Sequence, residues 1–346
     1  MKKFFVLGSL IFLLLLGAGG CAKKELTEPT PSPSPKPAEK PVQLTVTDYF
    51  PVKANWYWEY EGEGNEFAGG RVDTEFIEGN RVQLLQQNGG TDVAEVFEVS
   101  ENGVKLIYAK EESYWRINHL DEAPSMEQYY LKAPLKVGTT WKTGDITWSI
   151  ESLSEKVKVP AGEFTCLKVV GKSKDNTIER YFANGVGLVK QRFIATGGAT
   201  IEDNLKKYGD GEKDGNLPAK TLTLYYPSAN VDKLLSEERT VRFKTGEELA
   251  DKLTSILKEE KYKVLGKDVK LLNYVRTDQN LRLNFSRELI SELNAGSAFE
   301  GLKIDSIVNT FGRAFGTEGV IINVEGKGYE SGHFAFGKDE ILKVKQ

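Results

Sequence analysis

Imidazole and thiol are scarce in this 346-residue chain, which has two histidines, His119 and His333, and two cysteines, Cys21 and Cys166. Neither histidine stands at the short intervals from another His or Cys that ligate zinc, so no metal site is expected. No Gly-x-Ser-x-Gly elbow offers a serine for a histidine to activate. His119 and His333 are therefore assigned surface or structural roles. Carboxylates are plentiful, but a glycosidase pair is defined in space, and the order of residues nominates none. Asp48, Glu59 and Glu61 stand beside aromatic residues, as acids do in sugar grooves, yet the alternation there makes them the solvent face of a strand. Gly62, Gly64, Gly69 and Gly70 lack the following helix that a dinucleotide loop requires. No catalytic residue and no cofactor is expected, so the chain is not expected to be an enzyme.

The cysteines differ by context. Lys2 and Lys3 precede an apolar run from Phe4 to Leu16, then Gly17-Ala18-Gly19-Gly20-Cys21. A membrane span needs about 20 apolar residues, so the run fits the centre of an export signal. The small residues before Cys21 resemble a lipobox, with Ala18 where such motifs usually have Leu. That resemblance implies a signal peptide over 1–20, acyl chains of the palmitate type on Cys21, and anchorage on the extracytoplasmic face of the cell membrane. Residues 21–44 continue through Pro29-Thr30-Pro31-Ser32-Pro33-Ser34-Pro35-Lys36-Pro37. Such a stretch favours extended polyproline geometry, about 3.1 Å per residue, and forms a spacer. Cys166, in Phe164-Thr165-Cys166-Leu167, fits a buried small hydrophobe.

The folded part must be built by the residues beyond the spacer. The segment from Cys21 to Leu217 carries seven more acidic than basic residues, whereas Pro218 to Gln346 carries one more basic residue. Neither has the basic excess of a nucleic-acid binder. Over 45–208, short runs rich in Val, Ile, Tyr, Trp and Phe alternate with polar residues and are separated by turns such as Glu78-Gly79-Asn80 and Glu101-Asn102-Gly103. This predicts an antiparallel all-β domain, a sandwich or an open barrel. Trp56, Trp58, Tyr114, Trp115, Trp141 and Trp148 are expected in its core, with Trp56 and Trp58 also candidates for a sugar-stacking platform. Residues 209–216, charged and glycine-rich, are expected to be a linker. Over 217–346 the pattern changes to β-α-β-β-α-β. Thr245 and Glu248 suggest a capping box, and Ile304, Ile307, Val308, Phe311 and Phe315 mark one stripe of a second helix. The fold class is α+β, with two helices on a small mixed sheet. Asn284, Ser286 and Asn309 are candidates for a polar contact patch.

Two resemblances accompany this pattern. Asp48 to Tyr60, Val159 to Val169 and Tyr181 to Lys190 resemble strands of a group of bacterial exported β-domains. Leu222-Thr223-Leu224-Tyr225-Tyr226-Pro227, Leu283-Asn284-Phe285-Ser286, Ile307-Val308-Asn309-Thr310 and Val320 to Lys327 resemble the GerMN domain of sporulation and spore germination. Members of that family are typically exported lipoproteins of Gram-positive bacteria, related in shape to ring-building modules of envelope complexes, and often carry two such units where this chain has one. The resemblance implies a non-catalytic scaffold or assembly factor of the cell envelope, in sporulation or germination, associating with itself or with envelope proteins. Two alternatives stay open: a lipoprotein binding a glycan, peptidoglycan included, or a lipid, and a cell-wall hydrolase.

Overall fold

The computed structural model describes residues 44–277 and 279–345. Cys21, the export signal and the proline spacer lie outside them. A single turn of helix, α1 (Val46–Tyr49), leads into twelve strands: β1 (Trp56–Glu63), β2 (Gly69–Glu78), β3 (Arg81–Gln87), β4 (Asp92–Ser100), β5 (Gly103–Lys110), β6 (Gln128–Lys132), β7 (Thr140–Thr143), β8 (Ile146–Val159), β9 (Gly162–Lys172), β10 (Asn176–Ala183), β11 (Gly187–Ala195) and β12 (Thr200–Asp210). All belong to one sheet, in the order β6-β5-β4-β3-β2-β1-β12-β11-β10-β9-β8-β7. Every neighbouring pair is antiparallel and, except where β1 meets β12, consecutive in sequence. The sheet curls until its two edge strands approach, and the Trp141 Nε1 on β7 donates to the Tyr129 carbonyl on β6 at 3.0 Å. The result is a nearly closed barrel, the open form of the two expected.

Alternation explains the barrel. Inward residues such as Val82, Leu84, Phe97, Val99, Val169, Phe182 and Leu205 form its core, while β2 to β5 also carry a smaller outer cluster of Phe76, Val96 and Ile107 capped by Leu120. Cys166 is buried among the inner residues, and burial pushes its thiol up to about 12, so it stays protonated and inert. Trp58, Trp141 and Trp148 are core as expected, and Trp56 is half-buried against them. Tyr114 is not core: it is 40% exposed, on the segment between β5 and β6. That segment leaves the barrel, and Trp115 packs with the C-terminal core instead.

The C-terminal half contains β13 (Ala219–Pro227), β14 (Leu234–Arg242), α2 (Leu249–Leu257), β15 (Leu271–Arg276), β16 (Asn280–Phe285), α3 (Glu288–Leu293), α4 (Ser297–Phe315), β17 (Gly319–Val324), β18 (Lys327–Gly328) and β19 (Leu342–Lys343). The expected α+β class holds, with a hairpin strand, β14, a short helix, α3, and two two-residue strands, β18 and β19, added. β13 and β14 form their own two-stranded sheet, and β15-β16-β17-β18 form a mixed sheet in which β16 and β17 run parallel. The stripe of α4 lands as its spacing requires: Ile304, Ile307, Val308, Phe311 and Phe315 are all buried. The helix stops at Gly316, whose φ of 60° suits a residue without Cβ.

The described residues form one compact unit, and its inner seam is polar. The Arg116 Nη1 lies 3.3 Å from the Glu75 carboxylate, its Nε donates to the Glu247 carbonyl at 2.7 Å, and its Nη2 donates to the Lys244 carbonyl at 2.8 Å. The capping-box expectation fails here. Thr245 caps no helix; its hydroxyl donates to the Thr74 carbonyl at 2.7 Å and accepts from the Asn55 N–H at 2.7 Å. Gly246 N–H donates to the Glu75 carbonyl. The Thr-Gly turn that resembles a helix start is a clamp onto the barrel, and α2 begins after Glu248 with no side-chain cap. Residues 209–216 are pinned as well: Tyr57 donates its hydroxyl proton to Asp214, and the Asn216 side chain donates to Glu59.

Candidate functional site

Inside the barrel lies a cavity of about 170 Å³ walled by Phe50, Trp58, Tyr60, Phe97, Tyr130 and Leu188 together with Glu95, Arg180, Gln191 and Asp203. The polar members come from specific registers. Arg180 on β10 pairs with Gln191 on β11, and Gln191 pairs with Asp203 on β12, so the three side chains share one inward row. Glu95 projects from β4, next to Leu84 across the β3–β4 ladder.

These groups are unequally satisfied. The Asp203 Oδ1 accepts from the Gly69 N–H at 2.7 Å, and Gln191 bonds to the same carboxylate. The Arg180 Nε donates to the Gln191 Oε1 at 2.9 Å, and its guanidinium lies 4.2 Å from the Tyr130 ring centroid and 4.5 Å from that of Trp148. Trp148 takes this position because its cross-strand neighbour is Gly171; a Cβ there would lie 2.7 Å from the indole. Among the described residues, Glu95 accepts no hydrogen bond, and Arg180 forms no ion pair. Burial holds the Glu95 carboxyl up at about 7, although the Arg180 charge pulls it down. Burial also lowers Arg180 and raises Tyr130.

Of the candidates expected from sequence, Trp58 lines this cavity and donates its indole N–H to the Val186 carbonyl at 2.7 Å. Trp56 stands under the Lys53 ammonium, 4.1 Å from the ring centroid. The polar trio of the C-terminal half makes internal bonds. Asn284 Oδ1 accepts from the Gly326 N–H, Ser286 Oγ accepts from the Lys270 N–H, and Asn309 links the Asp305 carbonyl to the Lys345 N–H. Sequence reasoning misses the interior acid and base, although a signal is present. Arg180 alternates with Ile178 and Phe182, and Glu95 with Phe97 and Val99, so each occupies an apolar-face position.

The histidines are structural. The His333 Nδ1 lies 2.8 Å from the buried Glu300 carboxylate, which also accepts from the Tyr329 hydroxyl at 2.8 Å, fastening the 329–336 segment to α4. His119 packs against Tyr108, and burial lowers its basicity. Among the described residues, no group of three or more His, Cys, Asp or Glu side chains could hold a metal, and no helix is long and apolar enough to cross a membrane.

A second surface feature belongs to the C-terminal half. β15 ends its sheet and is bonded only to β16. It exposes Leu272 (48%) and Val275 (55%) beside a groove of about 680 Å³ whose other wall includes Tyr108, Trp115 and His119. Arg276 stacks on Trp115 across it, 3.2 Å from the ring centroid.

Residues 223–330 match the Germane family, described as sporulation and spore germination. No curated protein matches the chain. Among solved structures, the chain is similar to a Bacteroides fragilis protein provisionally described as exported with a YmcC-like fold, at 12% identity and a TM-score of 0.31 over 46% of this chain and 98% of that one. It is similar to a provisionally described lipoprotein of Parabacteroides distasonis at 13% identity and a TM-score of 0.28, over 46% and 98% of the two chains. A third, a provisionally described lipoprotein of Clostridium perfringens, is 22% identical with a TM-score of 0.23 over 36% and 93%.

Proposed function

We propose that this chain is a lipoprotein of the extracytoplasmic face, anchored through Cys21, that works without catalysis as an assembly element of the cell envelope in sporulation or germination. The Germane match over residues 223–330 supports the sporulation or germination setting. The observation that carries the assembly role is the β15 edge, a strand with one unladdered side and exposed Leu272 and Val275. An apolar edge strand is a template for pairing with another chain. The seam at Arg116 and Thr245 holds this edge in fixed relation to the barrel, so a partner bound there is positioned by the whole folded unit.

Sedimentation of the full chain in detergent, alone and with envelope extract, tests this. A species larger than the monomer, lost in Val275→Lys, is expected. A monomer at every concentration that captures no envelope protein, or a complex indifferent to Val275→Lys, would remove the basis of the proposal.

A further inference from the structure

The barrel interior holds a positive and a negative group that do not meet. Glu95 and Arg180 both face the cavity and are close enough for the charge of each to act on the other, yet they form no ion pair. Both are only partly exposed, and holding two opposite charges in so apolar a wall without joining them is costly, direct contact being the cheap remedy. Arg180 is held by other groups instead: Gln191 accepts from its Nε, while Tyr130 and Trp148 stack on its guanidinium. Gly171 in turn leaves room for Trp148. The guanidinium is therefore positioned, and its Nη donors remain for something else.

We infer that the cavity is a binding site for a small zwitterion of the amino-acid type, whose carboxylate is received by Arg180, whose ammonium is received by Glu95, and whose apolar side chain lies among Phe50, Trp58 and Phe97. Three features point to this class. The two unpartnered groups have opposite character, so a ligand with one charge satisfies one and leaves the other buried and bare. Of the other charged groups in the wall, Asp203 is already bonded to Gly69 and Gln191, and Arg71 is paired with Asp73 and Glu59, so neither competes for the ligand. The remaining wall is aromatic and aliphatic, and the volume of about 170 Å³ compares with cavities of roughly 150 Å³ that hold benzene. That volume favours a molecule of leucine size. The inference is independent of the assembly role, since it concerns the other half of the molecule.

The test is a titration of the full-length protein with L-leucine, 4-methylpentanoate and isopentylamine, followed by calorimetry and by the fluorescence of Trp58 and Trp148. L-Leucine is expected to saturate, and each half-ligand to bind about tenfold more weakly or worse, the usual loss for a hydrogen bond to a charged group. Glu95→Gln should erase the advantage of leucine over 4-methylpentanoate, and Arg180→Met its advantage over isopentylamine. The inference is overturned if leucine, norvaline and phenylalanine all fail to saturate by about 10 mM. It is equally overturned if wild-type protein binds a half-ligand as tightly as leucine, a comparison that needs no variant to fold.

Discussion

In the C-terminal half, buried polar side chains are bonded to nearby main chain. Ser306 donates to the Leu302 carbonyl, Asn309 bridges Asp305 and Lys345, Thr310 accepts from the Tyr225 N–H, and Asn323 donates to the Lys338 carbonyl. Inside the barrel, Glu95 has no hydrogen bond and Arg180 has only its Nε engaged. Dense internal satisfaction specifies a single packing and leaves the exterior to make contacts. Unsatisfied groups around a cavity destabilise the fold unless something occupies it. The two halves are thus built for different work: one as a rigid part with an exposed edge, the other as a container.

Two arginines, one at the seam between the halves and one inside the barrel, sharpen that contrast. Arg116, 8% exposed and paired with Glu75 at the seam, is structural. Arg116→Met should cost about 3–5 kcal/mol in denaturant unfolding, because it takes the charge partner from the buried Glu75 carboxylate and the donors from the Glu247 and Lys244 carbonyls. Next in size is a pH effect. The Glu75 carboxyl, normally near 4.5, is pushed up to about 7 by burial. The unfolded chain therefore releases this proton first, so the contribution is fully present below about 4.5 and is lost as pH rises to about 7. It amounts to about 3 kcal/mol. Unfolding measured at pH 5 and pH 7.5 should show it, and Glu75→Gln should flatten the difference in part, Glu95 titrating over the same range.

Arg180→Met, by contrast, should change stability by no more than about 1 kcal/mol, since the lost Gln191 hydrogen bond and ring contacts are offset by removal of a charge that has no ion-pair partner. A loss comparable to that of Arg116→Met would place Arg180 among the structural residues and end the distinction between the halves. Smallest of all, Val275→Lys should alter stability by less than about 0.5 kcal/mol, as an exposed position does, while abolishing association.

Much of the fold was legible in the sequence because it follows from period. The alternation over 45–208 foretold the antiparallel sheet, and the Ile304 to Phe315 stripe foretold α4. β14 was missed because Leu234-Leu235-Ser236-Glu237-Glu238-Arg239-Thr240-Val241-Arg242 buries only Val241, and its residue types do not alternate between apolar and polar. Thr245 misled because a Thr-x-x-Glu motif looks the same whether its hydroxyl caps a helix or, as here, reaches a strand more than a hundred and fifty residues away in sequence. The cavity groups were hidden for a similar reason. Glu95 and Arg180 stand on strands distant in sequence, and only the closure of the barrel makes them neighbours. Trp58 was singled out for its type, and its place in the cavity wall comes from the inward face of β1.

The assembly role rests on what meets β15. A photo-reactive residue at position 275 of the full-length chain, irradiated in the native host, probes that most directly. The account predicts crosslinks to a second copy or to another exported protein, lost when Leu272→Lys is added, with few from an equivalent probe at Leu153, which is 40% exposed but on the barrel. No crosslink from position 275, or as many from position 153, would contradict it.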